Sequence, residues 1–194
     1  QARATILPHP STACPGLTIE AVNLSRNDKL IDMPEDDPLA AIIWASLKAF
    51  RIAQPPKAHI ILDSTIPVAS GLGSSAAILT AIVRGLSTYL HCSTDPQVVA
   101  DIVNGVDRLF HGQTSGVDGV VIAYAQSVYF AKGSPLEMLS VPEPFLLAIG
   151  DSGIQSSTRD AVNTVRRKYT RHPHKYTNIF NEIGDIARDA RTYI

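Results

Sequence analysis

With 194 residues, 45% of them hydrophobic and 18% charged, the chain has the composition of a folded protein holding one sizeable core, or one domain and part of another. A net charge of −1 excludes the broad basic field that recruits nucleic acid or an anionic membrane. Its two cysteines, Cys14 and Cys92, have no metal-ligand spacing and make no disulfide framework, so a reduced, cytoplasmic setting is expected.

Residues 2–7 alternate as a strand, and residues 19–24 predict a second, with Pro15-Gly16 as the turn before it. Residues 32–38 form a polar loop with three acids, Glu35, Asp36 and Asp37, to which the sequence assigns no role beyond solvated surface. Leu39, Ile42, Ile43, Leu47 and Phe50 recur at a helical period, and Pro55-Pro56 ends that helix. Residues 58–64 alternate as a strand. They lead into the stretch Pro67-Val-Ala-Ser-Gly-Leu-Gly-Ser-Ser-Ala-Ala77. The helix that follows, 76–90, carries only one charge, Arg84, and is apolar nearly all round, which predicts a central position. The uncharged run 64–83 is not a membrane span, because Pro67, Gly71, Gly73 and five Ser/Thr precede its apolar part.

Between that strand and that helix, Gly71 and Gly73 permit positive φ and leave no Cβ against a bound group. Ser74 and Ser75 stand where the helix begins, beside its free N–H groups and the positive end of its macrodipole. Such a turn suits a phosphate. Glycine-rich strand-to-helix turns also serve as plain connections, and this one is neither a Walker A loop nor G-x-G-x-x-G, since no Lys follows the glycines and Ala76 and Ala77 fill the later positions.

Further on, Thr94-Asp95-Pro96 signals a helix start, with Val98, Val99, Ile102, Val103 and Val106 as the apolar stripe. A second glycine-containing loop, His111-Gly-Gln-Thr-Ser-Gly-Val-Asp-Gly119, sets Asp118 just before an expected strand. Asp107 precedes Asp118 by 118 − 107 = 11 residues, across a helix end and a loop, so the two carboxylates have the spacing to meet at one Mg²⁺ site. Read singly, Asp107 is equally a solvated helix-end residue and Asp118 a turn former. Residues 120–125 and 127–131 read as adjacent strands, and 145–150 as a buried one. Residues 151–157 form a loop opening a helix to about 168, and the tail from Tyr176 is helical by pattern. The proline clusters near residue 142 mark a domain boundary, giving 1–141 and 142–194.

Together these stretches resemble the GHMP small-molecule kinases. Pro67…Gly71-Leu-Gly-Ser-Ser-Ala-Ala77 is similar to the family's second signature. His111-Gly112…Ser115-Gly116-Val117-Asp118 resembles the loop HGxPSG(I/V)DN of its mevalonate kinase branch, and Asp151-Ser-Gly-Ile…Ser157-Thr158-Arg159 resembles the segment opening that branch's second domain. The resemblance implies an α+β fold. A nucleotide-binding domain, like the second domain of a small-subunit ribosomal protein, would be followed by the start of a second α+β domain. It implies ATP and Mg²⁺ as cofactors, with transfer of the γ-phosphoryl group to the C5 hydroxyl of mevalonate or a similar alcohol in isoprenoid biosynthesis. On it, Gly71, Leu72, Gly73, Ser74, Ser75 and Ala76 would wrap the phosphates. Ser75 and Asp107 would hold Mg²⁺, and Asp118 would be the catalytic base supported by the Thr158 hydroxyl. His111 and Ser115 would touch substrate. The partner is a small molecule, with no nucleic acid and no membrane, and a homodimer is compatible with it.

Three departures qualify the match. Asp107 stands where the family has glutamate, Thr114 where it has proline and Gly119 where it has asparagine, which predicts a looser loop. The family's lysine signature is expected upstream of Gln1 and its third, glycine-rich signature downstream of Ile194, so residues 1–194 are expected to be the middle of a longer kinase. The competing expectations are a GHMP phosphotransferase for another alcohol and a catalytically silent metabolite-binding relative.

Overall fold

The computed structural model describes residues 1–9, 16–67, 71–112, 114–142, 146–150 and 158–193, with the backbone alone for His111, Thr158 and Arg159. The chain divides into two compact units, 1–124 and 125–194. The expected boundary at 141/142 falls within the second.

The first unit is a four-stranded sheet covered by helices. Its strands are β1 (Ala2–Pro8), β2 (Thr18–Ala21), β3 (Arg26–Lys29) and β4 (Ala58–Ser64), in the order β1-β4-β2-β3. β4 runs antiparallel to β1, with Ala2 opposite Ser64, and parallel to β2, with Ile19 opposite Ile60. The alternation read from residues 58–64 is real. Ala58, Ile60 and Leu62 are buried, while the residues between them are less so.

The second expected strand stops early. β2 ends at Ala21, and Val22–Leu24 is a 3₁₀ turn closed by Ser25 at φ 51°. The Asn23 carboxamide there accepts from the Ser64 N–H (2.7 Å) and ties the turn to the end of β4.

The helices of this unit are α1 (Pro38–Ala49), α2 (Ser74–Tyr89), α3 (Pro96–His111) and α4 (Val117–Tyr124). α2 packs against β1, β4, α1, α3 and α4, as its all-round apolar surface predicts. Ile42, Ile43, Leu47, Ile60, Ile82, Val83, Leu86, Val99 and Val103 form the core around it. On α3 the buried stripe is Val99, Val103 and Val106, whereas Val98 is exposed.

The acidic loop before α1 has a structural task the sequence did not disclose. Asp37 is the N-cap of α1, accepting from the N–H groups of Leu39 (2.8 Å) and Ala40 (3.4 Å), with Pro38 at the first helical position. Its other oxygen accepts from Arg26 Nη2 (2.7 Å), joining β3 to α1. Hydrogen bonding to Asp37, and then to Asp28, raises the Arg26 guanidinium above its ordinary value despite the opposing effect of burial. Asp37→Ala is therefore expected to destabilise this unit by about 0.5–2 kcal/mol, the cost of a lost cap. Asp37→Asn keeps the acceptor and should cost less. Urea midpoints of the two variants check this, and equal losses would contradict it.

The largest revision concerns residues 117–131. Instead of two adjacent strands, residues 117–124 form α4, and only Val128–Tyr129 (β5) is extended, paired with Glu137–Met138 (β6). A short apolar run does not distinguish helix from strand by periodicity alone. Burial of Gly119, Val120 and Ala123, spaced as on a helix, decides it. Residues 146–150 are likewise not a buried strand. They have no regular structure, and Leu146, Leu147 and Ile149 are exposed.

The second unit also contains α5 (Thr158–Arg171) and α6 (Pro173–Tyr193), which pack on each other through stacked Tyr169 and Phe180 rings, 5.9 Å between centroids. Arg191 of α6 reaches the hairpin, pairing with Glu137 (2.5 Å) and lying over the Tyr129 ring at 4.9 Å.

Candidate active site

The backbone of the first glycine loop has the form its sequence requires. Gly71 (φ 75°) and Gly73 (φ 67°) are both left-handed, a region that side-chain-bearing residues enter at a cost. Gly73 is the N-cap of α2, and its carbonyl accepts from the Ala77 N–H (3.0 Å). Among the described residues no side chain caps this helix, and its first turn carries no acid. By contrast α1 and α3 begin on Asp37 and Asp95, each accepting a backbone N–H. Among the described residues the positive end and the first-turn donors of α2 are not taken up by a side-chain cap. Ser75 is exposed there, Ser74 half-buried, Ala76 buried, and Leu72 lies 49% exposed at the loop tip.

The second loop turns directly into α4. Gly116 is left-handed (φ 85°), Ser115 Oγ accepts from the Val117 N–H (3.3 Å), and the Val120 N–H donates to the Gly116 carbonyl (3.3 Å). Asp118 thus lies in the first turn of a helix, where its charge complements the dipole, and not before a strand. The Ser115-x-x-Asp118 spacing is the sequence sign of such a start.

Packing of α4 on α2 joins the two loops. A Cβ built on Gly73 would lie 4.0 Å from both Cγ and Oδ1 of Asp118, and 3.6 Å from Ile122 Cδ1. An exposed carboxylate 45 residues away in sequence is held beside the uncapped end of α2. Two helix N-termini and one acid meet at this point.

Asp107 is half-buried on α3, which packs against both α2 and α4. Ser75 and Asp107 offer only hard oxygen donors, the kind Mg²⁺ takes when phosphate oxygens and water complete its shell. Among the described residues no three His, Cys, Asp or Glu gather into a metal cluster. His111 ends α3 and Thr158 begins α5, with side chains outside the described residues, as is the whole segment 151–157.

Residues 40–126, which contain both loops, match the family of the GHMP kinases N terminal domain. Over these residues the chain belongs to the GHMP kinases. Among relatives of this family, the mevalonate kinase of Thermococcus sibiricus is 35% identical over 135 residues, covering 70% of this chain and 40% of the relative. The mevalonate kinase of Saccharolobus solfataricus is 28% identical over 181 residues, covering 93% of this chain and 56% of the relative. This GHMP chain therefore spans 40–56% of the length of those two kinases.

The fold agrees with that membership. The Methanococcus jannaschii mevalonate kinase matches with a TM-score of 0.61 at 18% identity, over 71% of this chain and 45% of the other. The homoserine kinase of Cytophaga hutchinsonii matches at 0.55 and 22% identity, over 76% and 46%. Among the described residues no helix is long and apolar enough to cross a membrane.

Proposed function

We propose that the protein carrying this chain is an ATP-dependent kinase that phosphorylates the C5 hydroxyl of mevalonate, in a cytoplasmic isoprenoid route. The observation that supports it is the approach of Asp118 to Gly73, which sets an acid beside a phosphate-shaped helix end. Residues 71–76 bind the triphosphate through backbone N–H groups and the α2 dipole. Asp118 accepts the proton of the substrate hydroxyl as its oxygen attacks the γ-phosphorus. The bond to the bridging oxygen breaks, and ADP leaves. Ser75 and Asp107 would hold Mg²⁺, which when bound neutralises charge on the phosphate oxygens. His111 and Ser115 would line the alcohol.

Release of ADP by the full reading frame, measured over a panel of mevalonate, phosphomevalonate, homoserine and sugars, tests this reading. Mevalonate should be preferred. Activity on another alcohol alone would keep the kinase and replace the substrate, and no ADP with any of them would leave a silent metabolite-binding protein. A second expectation separates ligand from base. Asp107→Asn should weaken Mg²⁺-ATP, and raising Mg²⁺ should recover part of the lost rate. A Mg²⁺ titration that recovers nothing would contradict the ligand role.

A further inference from the structure

The turn that carries Asp118 has a glycine on each side, and both glycines face one side chain. A Cβ on Gly119 would stand 2.3 Å from Asn104 Oδ1 and 3.0 Å from its Cγ. A Cβ on Gly116 would stand 3.2 Å from Asn104 Nδ2. Real Cβ atoms do not approach to 2.3 Å, so a side chain at 119 and the carboxamide of Asn104 exclude each other as placed. Gly119 is buried and Asn104 half-buried, in the middle of α3 and one turn before Asp107. The Asn104 carbonyl accepts from Arg108 Nε (3.2 Å), but among the described residues nothing hydrogen-bonds its carboxamide. The carboxamide occupies the volume that side chains at 116 and 119 would take.

We infer that Asn104 is a positioning residue, whose carboxamide wedges between Gly116 and Gly119 and fixes the turn that sets Asp118 against Gly73. The absence of a side chain at 119 does not leave the turn loose, as the sequence alone suggests. The volume is supplied from α3 instead. α3 also bears Asp107, so the wedge makes the Asp118 turn and the Asp107 helix one rigid piece. Displacing the wedge moves the acid relative to the α2 N-terminus, and an error of about 1 Å in such a group can cost about 10²-fold in rate.

The test is a cycle of Asn104→Ala, Gly119→Ala and the double variant in the full reading frame. Its turnover arm rests on the proposed kinase activity, and its second arm, hydrogen exchange of the amides of residues 117–124, does not. Each single variant should lower kcat by about 10–100-fold, leave KM for ATP within about twofold and speed exchange at Val120 N–H. In the double variant the methyl at 119 fills the space the carboxamide leaves, so kcat should return to within about threefold of the parent and protection should recover. If Gly119→Ala alone does not fold, a folded and active double variant is itself the predicted coupling. Additive losses, or single variants with parental kcat, would overturn the inference. If the parent phosphorylates no alcohol, the kinase reading fails, and exchange decides alone: recovery in the double variant supports the wedge and additivity overturns it.

Discussion

Asp118→Asn is expected to lower turnover by about 10²–10⁴-fold, the usual worth of a positioned base, while the fold and the affinity for ATP change little. The carboxylate is exposed, enters no ion pair among the described residues and sits in the first turn of α4. Its folding contribution is then the interaction with a helix dipole, about 0.3–1 kcal/mol. Asparagine keeps the size and the approach to Gly73 but cannot take the alcohol proton. Steady-state kinetics with a urea melt of the same sample separate the two effects. A variant that turns over at near the parental rate, or one that excess Mg²⁺ restores, would remove Asp118 from the role of base.

Gly73→Val is expected to cut ATP affinity by at least about tenfold, a change of 1.4 kcal/mol. Gly73 holds φ 67°, and a β-branched residue in that region is strained by about 1–3 kcal/mol. There is room for the Cβ itself, 3.6 Å from Ile122 Cδ1, but the γ-methyl groups of valine extend further into the space shared with Asp118. Either the loop leaves its left-handed form, turning its N–H groups away, or the methyl groups occupy the place of the ligand. α2 should remain folded, because Ala76, Leu79, Ile82, Val83 and Leu86 anchor it in the core. Calorimetry on the folded variant gives the answer, and unchanged affinity would count against the phosphate role of this loop.

How far the sequence could be read depended on the range of the interaction. β4, α1, α2 and α3 were legible because each carries its period in its own residues, with Asp95-Pro96 marking one start. α4 was not, because an apolar run of helix-or-strand length hid the Ser115-x-x-Asp118 signal in front of it. The role of Asp37 was masked by two neighbouring acids, only one of the three being spaced to cap α1. Both motif loops could be found singly, yet nothing in their spacing brings Asp118 to Gly73. That contact follows from α4 packing on α2. Asn104 gave no sign at all, since a polar residue in mid-helix normally faces water and here fills a gap left by two glycines.

In the proposed kinase the two loops form one phosphoryl-transfer site. Phosphorus NMR of a reaction containing mevalonate, ATP, Mg²⁺ and the full-length protein tests it most directly. The predicted result is a phosphate on the C5 oxygen of mevalonate, appearing in step with ADP, about 10²–10⁴-fold more slowly with Asp118→Asn and, at subsaturating ATP, at least about tenfold more slowly with Gly73→Val. ADP and inorganic phosphate with no phosphorylated alcohol, or a product formed at near the parental rate by the Asp118→Asn variant, would contradict it.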